Sequence, residues 1–280
     1  MQRTTTGVKA TAAVLTAIFW KGLKYYLRYP GSFLLVIVTP FLFALLVLGM
    51  GQFVGSEDAA SNFALRTGTT NILVYEILGS AVWMISWVVV EDLGVALRDE
   101  QMKGTLEQNF MAPVNRITLL VGLSLTCIVI ISTVFFAVVG ATVALIMPME
   151  LVRLMEAFLM LLIGLIPLLG IGFLLAGFVV RFKEPYIITQ MVSLLFATLT
   201  GTYYPVTILP VWVQFFSYML PQTYVIDGMR QIVLANRTLV ELYGSIIALI
   251  VLSFVFPTLG YAAFKHFETK GSATGEFSKY

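Results

Sequence analysis

The chain has 280 residues, 59% of them apolar and 11% charged, with a net charge of +2 and a mean hydropathy of +0.93. A soluble domain of this composition would lack the polar surface to cover its core, so lipid is the solvent that most of the chain calls for. With so small a charge and no basic tract interleaved with aromatics, a nucleic-acid partner is set aside.

The N-terminal residues show no short apolar region followed by a small-residue cleavage site, which predicts that the first span stays in the mature protein. Residues 10–29 read as a helix ahead of that span. At about 100° per residue, Lys21, Lys24 and Arg28 fall on one arc, while Val14, Ile18, Phe19, Leu23, Tyr25 and Tyr26 occupy the rest. Such a helix can lie in the headgroup plane, touch a cytosolic partner, or do both.

Six apolar stretches follow, at about 32–54, 71–90, 117–147, 154–180, 186–202 and 243–264. Each is long enough to cross a hydrocarbon core as a helix, and none alternates as a strand would, so the expected fold is an all-α membrane protein of six transmembrane helices. The third stretch exceeds a span and should tilt or protrude. Pro167 should kink the fourth, where Gly164, Gly170, Gly172 and Gly177 permit close helix approach.

Between the second and third stretches lies a polar segment. Thr105 and Gln108 have capping-box spacing, which predicts a short helix from Leu106 that Pro113 ends. Leu106 and Phe110, at i and i+4, form an apolar ridge with Glu107 displaced from it. Two turns are marginal in water, so the ridge needs a dock, either the adjacent membrane helices or a groove on a separate soluble protein.

The residues from Tyr203 to Asn236 are too many and too apolar for an ordinary loop. Pro205, Pro210 and Pro221 prevent one continuous helix, which predicts a re-entrant pair of half-helices: Val211 to Met219, opened by Pro210, then a break at Pro221, then Thr223 to Leu234. Tyr203, Tyr204, Trp212, Tyr218 and Tyr224 suit an outer aromatic belt. Asp227 and Arg230, at i and i+3, are placed to pair on one helix face.

With the N-terminus inside, thirteen of the seventeen Lys and Arg fall on the cytosolic side, and only Arg66, Arg153, Arg230 and Arg237 fall outside. That bias predicts both termini in the cytosol. The expected partition is a tail and interfacial amphipathic helix at 1–30, a six-span domain at 31–265 and a cytosolic tail at 266–280.

Catalytic chemistry has little to work with. His266 is the only histidine and Cys127 the only cysteine, so no His-based metal site, His-assisted nucleophile or intrachain disulfide can be assembled. No phosphate loop occurs, since no Gly is followed by Lys. Glu76, about a turn inside the outer end of the second span, is the residue on which an ion-coupled transporter or channel would rest; it can equally be a snorkelling carboxylate or a partner of Arg66. Glu91 and Asp92 lie at the cytosolic end, where water or Arg98 could satisfy them.

The run Arg98-Asp99-Glu100-Gln101-Met102-Lys103-Gly104-Thr105-Leu106-Glu107-Gln108, followed by Ala112-Pro113-Val114-Asn115-Arg116, resembles a conserved-pattern segment of the ABC-2 family of transporter permeases. Tyr204-Pro205, Leu209-Pro210-Val211-Trp212 and Pro221-Gln222-Thr223-Tyr224 through Asp227 and Arg230 resemble that family's second pattern, while Tyr75 and Glu76 stand where relatives often carry Pro-Gly. The resemblance implies a transmembrane subunit of an ATP-driven exporter in the plasma membrane, working as a homo- or heterodimer. Gly104, Thr105, Leu106, Glu107, Phe110 and Pro113 would then form a coupling helix that engages a cytosolic ABC ATPase. No cofactor is expected in this chain; ATP and Mg would belong to that partner. The implied cargo is amphiphilic or polymeric: a drug, a lipid or a glycan.

Overall fold

The computed structural model describes residues 2–54, 59–102, 117–182 and 185–274. Among them the secondary structure is helical throughout. Five helices are long and apolar enough to cross a membrane, judged by length and composition.

Helix α1 (Gln2–Arg28) runs into α2 (Pro30–Val54), which begins at a proline, a residue suited to the first helical turn because its missing N–H has no partner there. A short α3 (Ala59–Thr67) precedes α4 (Ile72–Gly94), whose N-cap Asn71 accepts the amide of Val74 at 3.2 Å. After α5 (Ala96–Met102) come α6 (Ile117–Leu145) and α7 (Leu151–Phe182), the latter continuing helically through Pro167. With 29 residues, α6 is about 43 Å long, which agrees with a third span that overshoots the bilayer.

Helix α8 (Pro185–Leu199) has 15 residues, roughly 22 Å against a hydrocarbon core of about 30 Å. The fifth apolar stretch is therefore helical but shorter than a span. It stops because Gly201 takes a left-handed conformation (φ 79°) that turns the chain. A 3-10 turn (Val206–Ile208) leads to α9 (Val211–Tyr218), α10 (Pro221–Leu234), a second 3-10 turn (Leu239–Leu242) and α11 (Tyr243–Thr274).

The two short helices expected after the fifth stretch are present, with altered boundaries. Pro210 is the N-cap of α9 rather than its first helical residue, and Pro221 opens α10 instead of separating it from what precedes. Both positions spare a helical N–H that proline cannot supply. The end of α9 is stitched to α10: Thr223 Oγ1 donates to the Ser217 carbonyl at 2.6 Å and Tyr224 Oη to that of Tyr218 at 2.9 Å, satisfying carbonyls that a helix end leaves bare.

The pillar of the molecule is α4. Of its apolar window 78% is buried within the chain, against 17% for α2 and 11% for the last span. Ile77, Leu78, Ile85 and Leu93 of α4 pack with Phe135 of α6 and with Leu161, Leu165 and Leu168 of α7. The outer helices thus leave most of their apolar surface for lipid or another subunit.

The small residues of α7 mark its contacts. A Cβ on Gly164 would meet Val225 at 2.1 Å, one on Gly170 the Pro257 nitrogen of α11 at 2.4 Å, and one on Gly172 Leu93 at 2.8 Å. Close backbone approach of this kind is how helices associate in lipid, where apolar burial alone gives little drive.

Helix α1 is docked on the bundle along α6. Val14, Leu15, Ile18, Phe19, Gly22, Leu23 and Tyr26 form its partly buried stripe, with Trp20, Lys21, Lys24, Tyr25 and Arg28 outward. At the crossing, Ile18 sits over Gly122 and Thr126 over Gly22. The cations share the exposed face, as their angular spacing predicts.

Candidate functional site

The chain ends of the bundle divide into two polar regions. One, called here the terminal end, gathers α1, α5 and the C-terminal ends of α4 and α7. The other, the far end, gathers α3, the 200–207 turn, α9, α10 and the start of α11.

At the terminal end, Gly104, Thr105, Leu106, Glu107, Phe110 and Pro113 lie outside the described residues. Their flanks are described. The helix that leads into them, α5, is tied to two other elements. Lys21 of α1 forms a 2.5 Å ion pair with Glu100, and Tyr186 at the start of α8 donates to Asp99 at 3.1 Å. Near the end of α4, Tyr26 of α1 donates to Asp92 at 2.5 Å, and the thiol of Cys127 lies 3.9 Å from the same carboxylate oxygen. Asp92, for which water or Arg98 was the expected partner, has Tyr26 and Cys127 beside it. Burial, together with the Asp92 carboxylate beside it, pushes the Tyr26 phenol far above the ordinary tyrosine range, so it remains a donor at any physiological pH.

At the far end, Arg230 of α10 is 7% exposed and directs its fork at backbone carbonyls. Nε and Nη2 both donate to Tyr75 O at 3.2 Å, Nη1 to Gly201 O at 2.6 Å, and Nη2 to Thr202 O at 2.7 Å. Its Cζ also lies 3.4 Å from the centre of the Tyr75 ring. The expected pair with Asp227 does not form. Asp227 Oδ2 accepts from Gln231 Nε2 at 2.6 Å instead, and Gln231 Oε1 accepts from Arg237 at 2.8 Å. Three carbonyls in fixed directions suit a planar guanidinium better than one carboxylate three residues away does.

Gly79 makes this clasp possible. A Cβ there would lie 2.0 Å from Thr202 O and 2.4 Å from Arg230 Nη2. Glu76, 1% exposed, neither snorkels nor takes Arg66 as its neighbour; it lies within the field of Arg230. No ion pair joins it to Arg230, and its Oε2 has no hydrogen-bond partner among the described residues.

Of the other far-end residues singled out by sequence, Tyr203 turns inward. It packs against Phe43 and Trp83, whose rings lie 6.0 and 6.5 Å away. Burial, then the charge of Glu76, push its phenol up to about 12. Trp212 and Tyr218 are outward, at 71% and 45% exposure, as a belt requires. A cavity of 420 Å³ opens beside the clasp, with Arg66, Tyr75, Tyr218, Tyr224, Asp227 and Arg230 on its wall. Pro205 lines it too, while Pro210, Trp212 and Pro221 do not.

Sequence reasoning missed the Arg230 acceptors and Gly79. Carbonyl acceptors leave no mark in sequence, but Gly79 one turn after an acid within an apolar run was a usable signal of close backbone approach.

A family model described as ABC-2 type transporter matches residues 13–234. The chain belongs to the ABC-2 type transporter family. No curated protein matches it. The match runs from within α1 to the end of α10, and with five spanning-length helices it makes this an integral membrane protein. Members of the family are the membrane components of ABC-type transporters, not catalysts, and typically work with an ABC ATPase.

Proposed function

We propose that this permease is the transmembrane subunit of an ATP-driven exporter that moves an amphiphilic or polymeric substrate out of the cytosol or the inner leaflet. It works in the plasma membrane as one of two such subunits. The fuel and its Mg ion are bound by a separate ATPase. The observation that carries this reading is the wiring of α5: the helix entering the 103–116 segment is tied on one side to α1 through Lys21 and on the other to α8 through Tyr186. A push on the expected ridge of Leu106 and Phe110, in a segment that also holds Gly104, the capping candidate Thr105, Glu107 and Pro113, would reach both elements at once.

The same reading puts both termini in the cytosol, as the Lys and Arg bias favours. It takes α8 as the fifth of six membrane helices, completed by α9 and α10 as a re-entrant pair. Pro205, Pro210, Trp212, Pro221, Tyr224, Asp227 and Arg230 then shape the outer closure.

The test is capture of the cognate ATPase by the permease from native membranes, repeated with Leu106→Asp and Phe110→Asp together. Capture should fall at least about tenfold, or 1.4 kcal/mol, while insertion is unchanged. Undiminished capture removes the handle. The ion-coupled alternative rests on Glu76, whose burial at 1% exposure leaves it closed to ions in solution within the subunit. Under that alternative Glu76→Gln abolishes gradient-driven uptake in vesicles; under ours no such uptake exists to abolish.

A further inference from the structure

The far-end cavity is larger than the Arg230 clasp needs. At 420 Å³ it falls within the size range of small-molecule sites, and its wall is unusually polar for a chain of this composition. Two guanidiniums, Arg66 and Arg230, share it with the carboxylate of Asp227, so both signs of charge stand on one wall. A cationic guest would meet two guanidiniums, and an anionic guest would meet Asp227. An apolar guest would strip water from those groups and from hydroxyls such as Thr207 and Ser245 without replacing their hydrogen bonds, a penalty for each one left bare.

A guest carrying neighbouring hydroxyls avoids all three penalties, because each hydroxyl both donates and accepts. Asp227 is prepared for it. Its Oδ2 is fixed by the Gln231–Arg237 chain, while Oδ1 has no hydrogen bond among the described residues. Arg230 makes four hydrogen bonds with its five N–H groups, so one Nη1 hydrogen is left. Two tyrosine rings, Tyr218 and Tyr224, stand with centroids 6.3 Å apart, and the Tyr224 hydroxyl is pinned to the Tyr218 carbonyl. Such rings offer a flat apolar surface to the C–H face of a pyranose.

We propose that this cavity binds a neutral sugar, as the headgroup of an amphiphile or as a unit of a glycan chain, with Asp227 accepting from vicinal hydroxyls and Tyr218 and Tyr224 supporting the ring. That the sugar is cargo rests on the export reading; the binding site does not.

The experiment uses the full chain in phospholipid nanodiscs free of glycolipid and glycoside detergent. Titrants are maltose and a short-chain alkyl maltoside below its micelle concentration, followed by saturation-transfer NMR, with tetramethylammonium and inorganic phosphate as counter-probes. Saturable, millimolar sugar binding is expected, weakened about tenfold or more by Asp227→Ala and by Tyr218→Ala, two exposed positions whose substitution leaves the thermal midpoint in place. Binding of the maltoside alone supports the headgroup form, and equal binding of both supports the glycan form. Absence of saturable sugar binding, equal affinity in both variants, or preference for either counter-probe overturns the proposal. No ATPase takes part, so failure here leaves the export reading standing, and failed ATPase capture leaves this site standing.

Discussion

The two polar ends of the bundle are held in opposite ways. At the far end one buried cation is clasped by backbone carbonyls of two segments, so the partners cannot rotate away or exchange. At the terminal end the links run between side chains: Lys21 with Glu100, Tyr26 with Asp92, Tyr186 with Asp99. Side-chain pairs at partly exposed positions are individually weak and can be remade in another geometry. A transporter needs both kinds of contact, a joint that keeps its shape and one that can be rewired during the cycle.

Arg230→Ala should break the far end most severely. It leaves the carbonyls of Tyr75, Gly201 and Thr202 without their donor, at about 1–3 kcal/mol for each buried acceptor left bare. The expected outcome is a large fall in thermal midpoint in detergent, or no recoverable protein, and Arg230→Lys should not restore it, because one ammonium cannot match the fork. Gly79→Ala comes next. With its Cβ 2.0 Å from Thr202 O, the backbones must part, and we expect a loss of about 1–3 kcal/mol by the same measurement.

No single change at the terminal end should match the loss caused by Arg230→Ala. Tyr26→Phe removes a hydrogen bond to a carboxylate and should cost about 1.5–3 kcal/mol. Lys21→Ala should change stability by no more than about 1 kcal/mol, since the lysine side chain is 61% exposed. Its effect should appear instead as weaker coupling of ATPase turnover to transport. A stability loss for Lys21→Ala as large as that for Arg230→Ala would erase the contrast between the two ends.

Much of this was legible in the sequence. Apolar runs gave the spanning helices within a few residues, and the angular spacing of Lys21, Lys24 and Arg28 gave the outward face of α1. Proline positions gave the two short helices beyond α8. The shortness of α8 was harder to see, because the apolar run continues past Leu199 while the helix ends at a left-handed Gly201, a conformation that composition does not report. The Arg230 site was misassigned for a related reason. Asp227 lay within local reach and carried a visible charge, whereas the acceptors were the main-chain oxygens of Tyr75, Gly201 and Thr202, which belong to every residue alike. The coupling ridge remains a sequence-level feature, since Leu106 and Phe110 lie outside the described residues.

The early stop of α8 carries a further consequence. In the proposed topology, with α8 entering a hydrocarbon layer about 30 Å deep, a rod of roughly 22 Å would leave the next peptide groups submerged, where unsatisfied carbonyls are heavily penalised. Arg230 meets two of them, at Gly201 and Thr202. The guanidinium acts there as a built-in substitute for solvent, letting the polypeptide reverse direction below the waterline without drawing a hydration defect in after it.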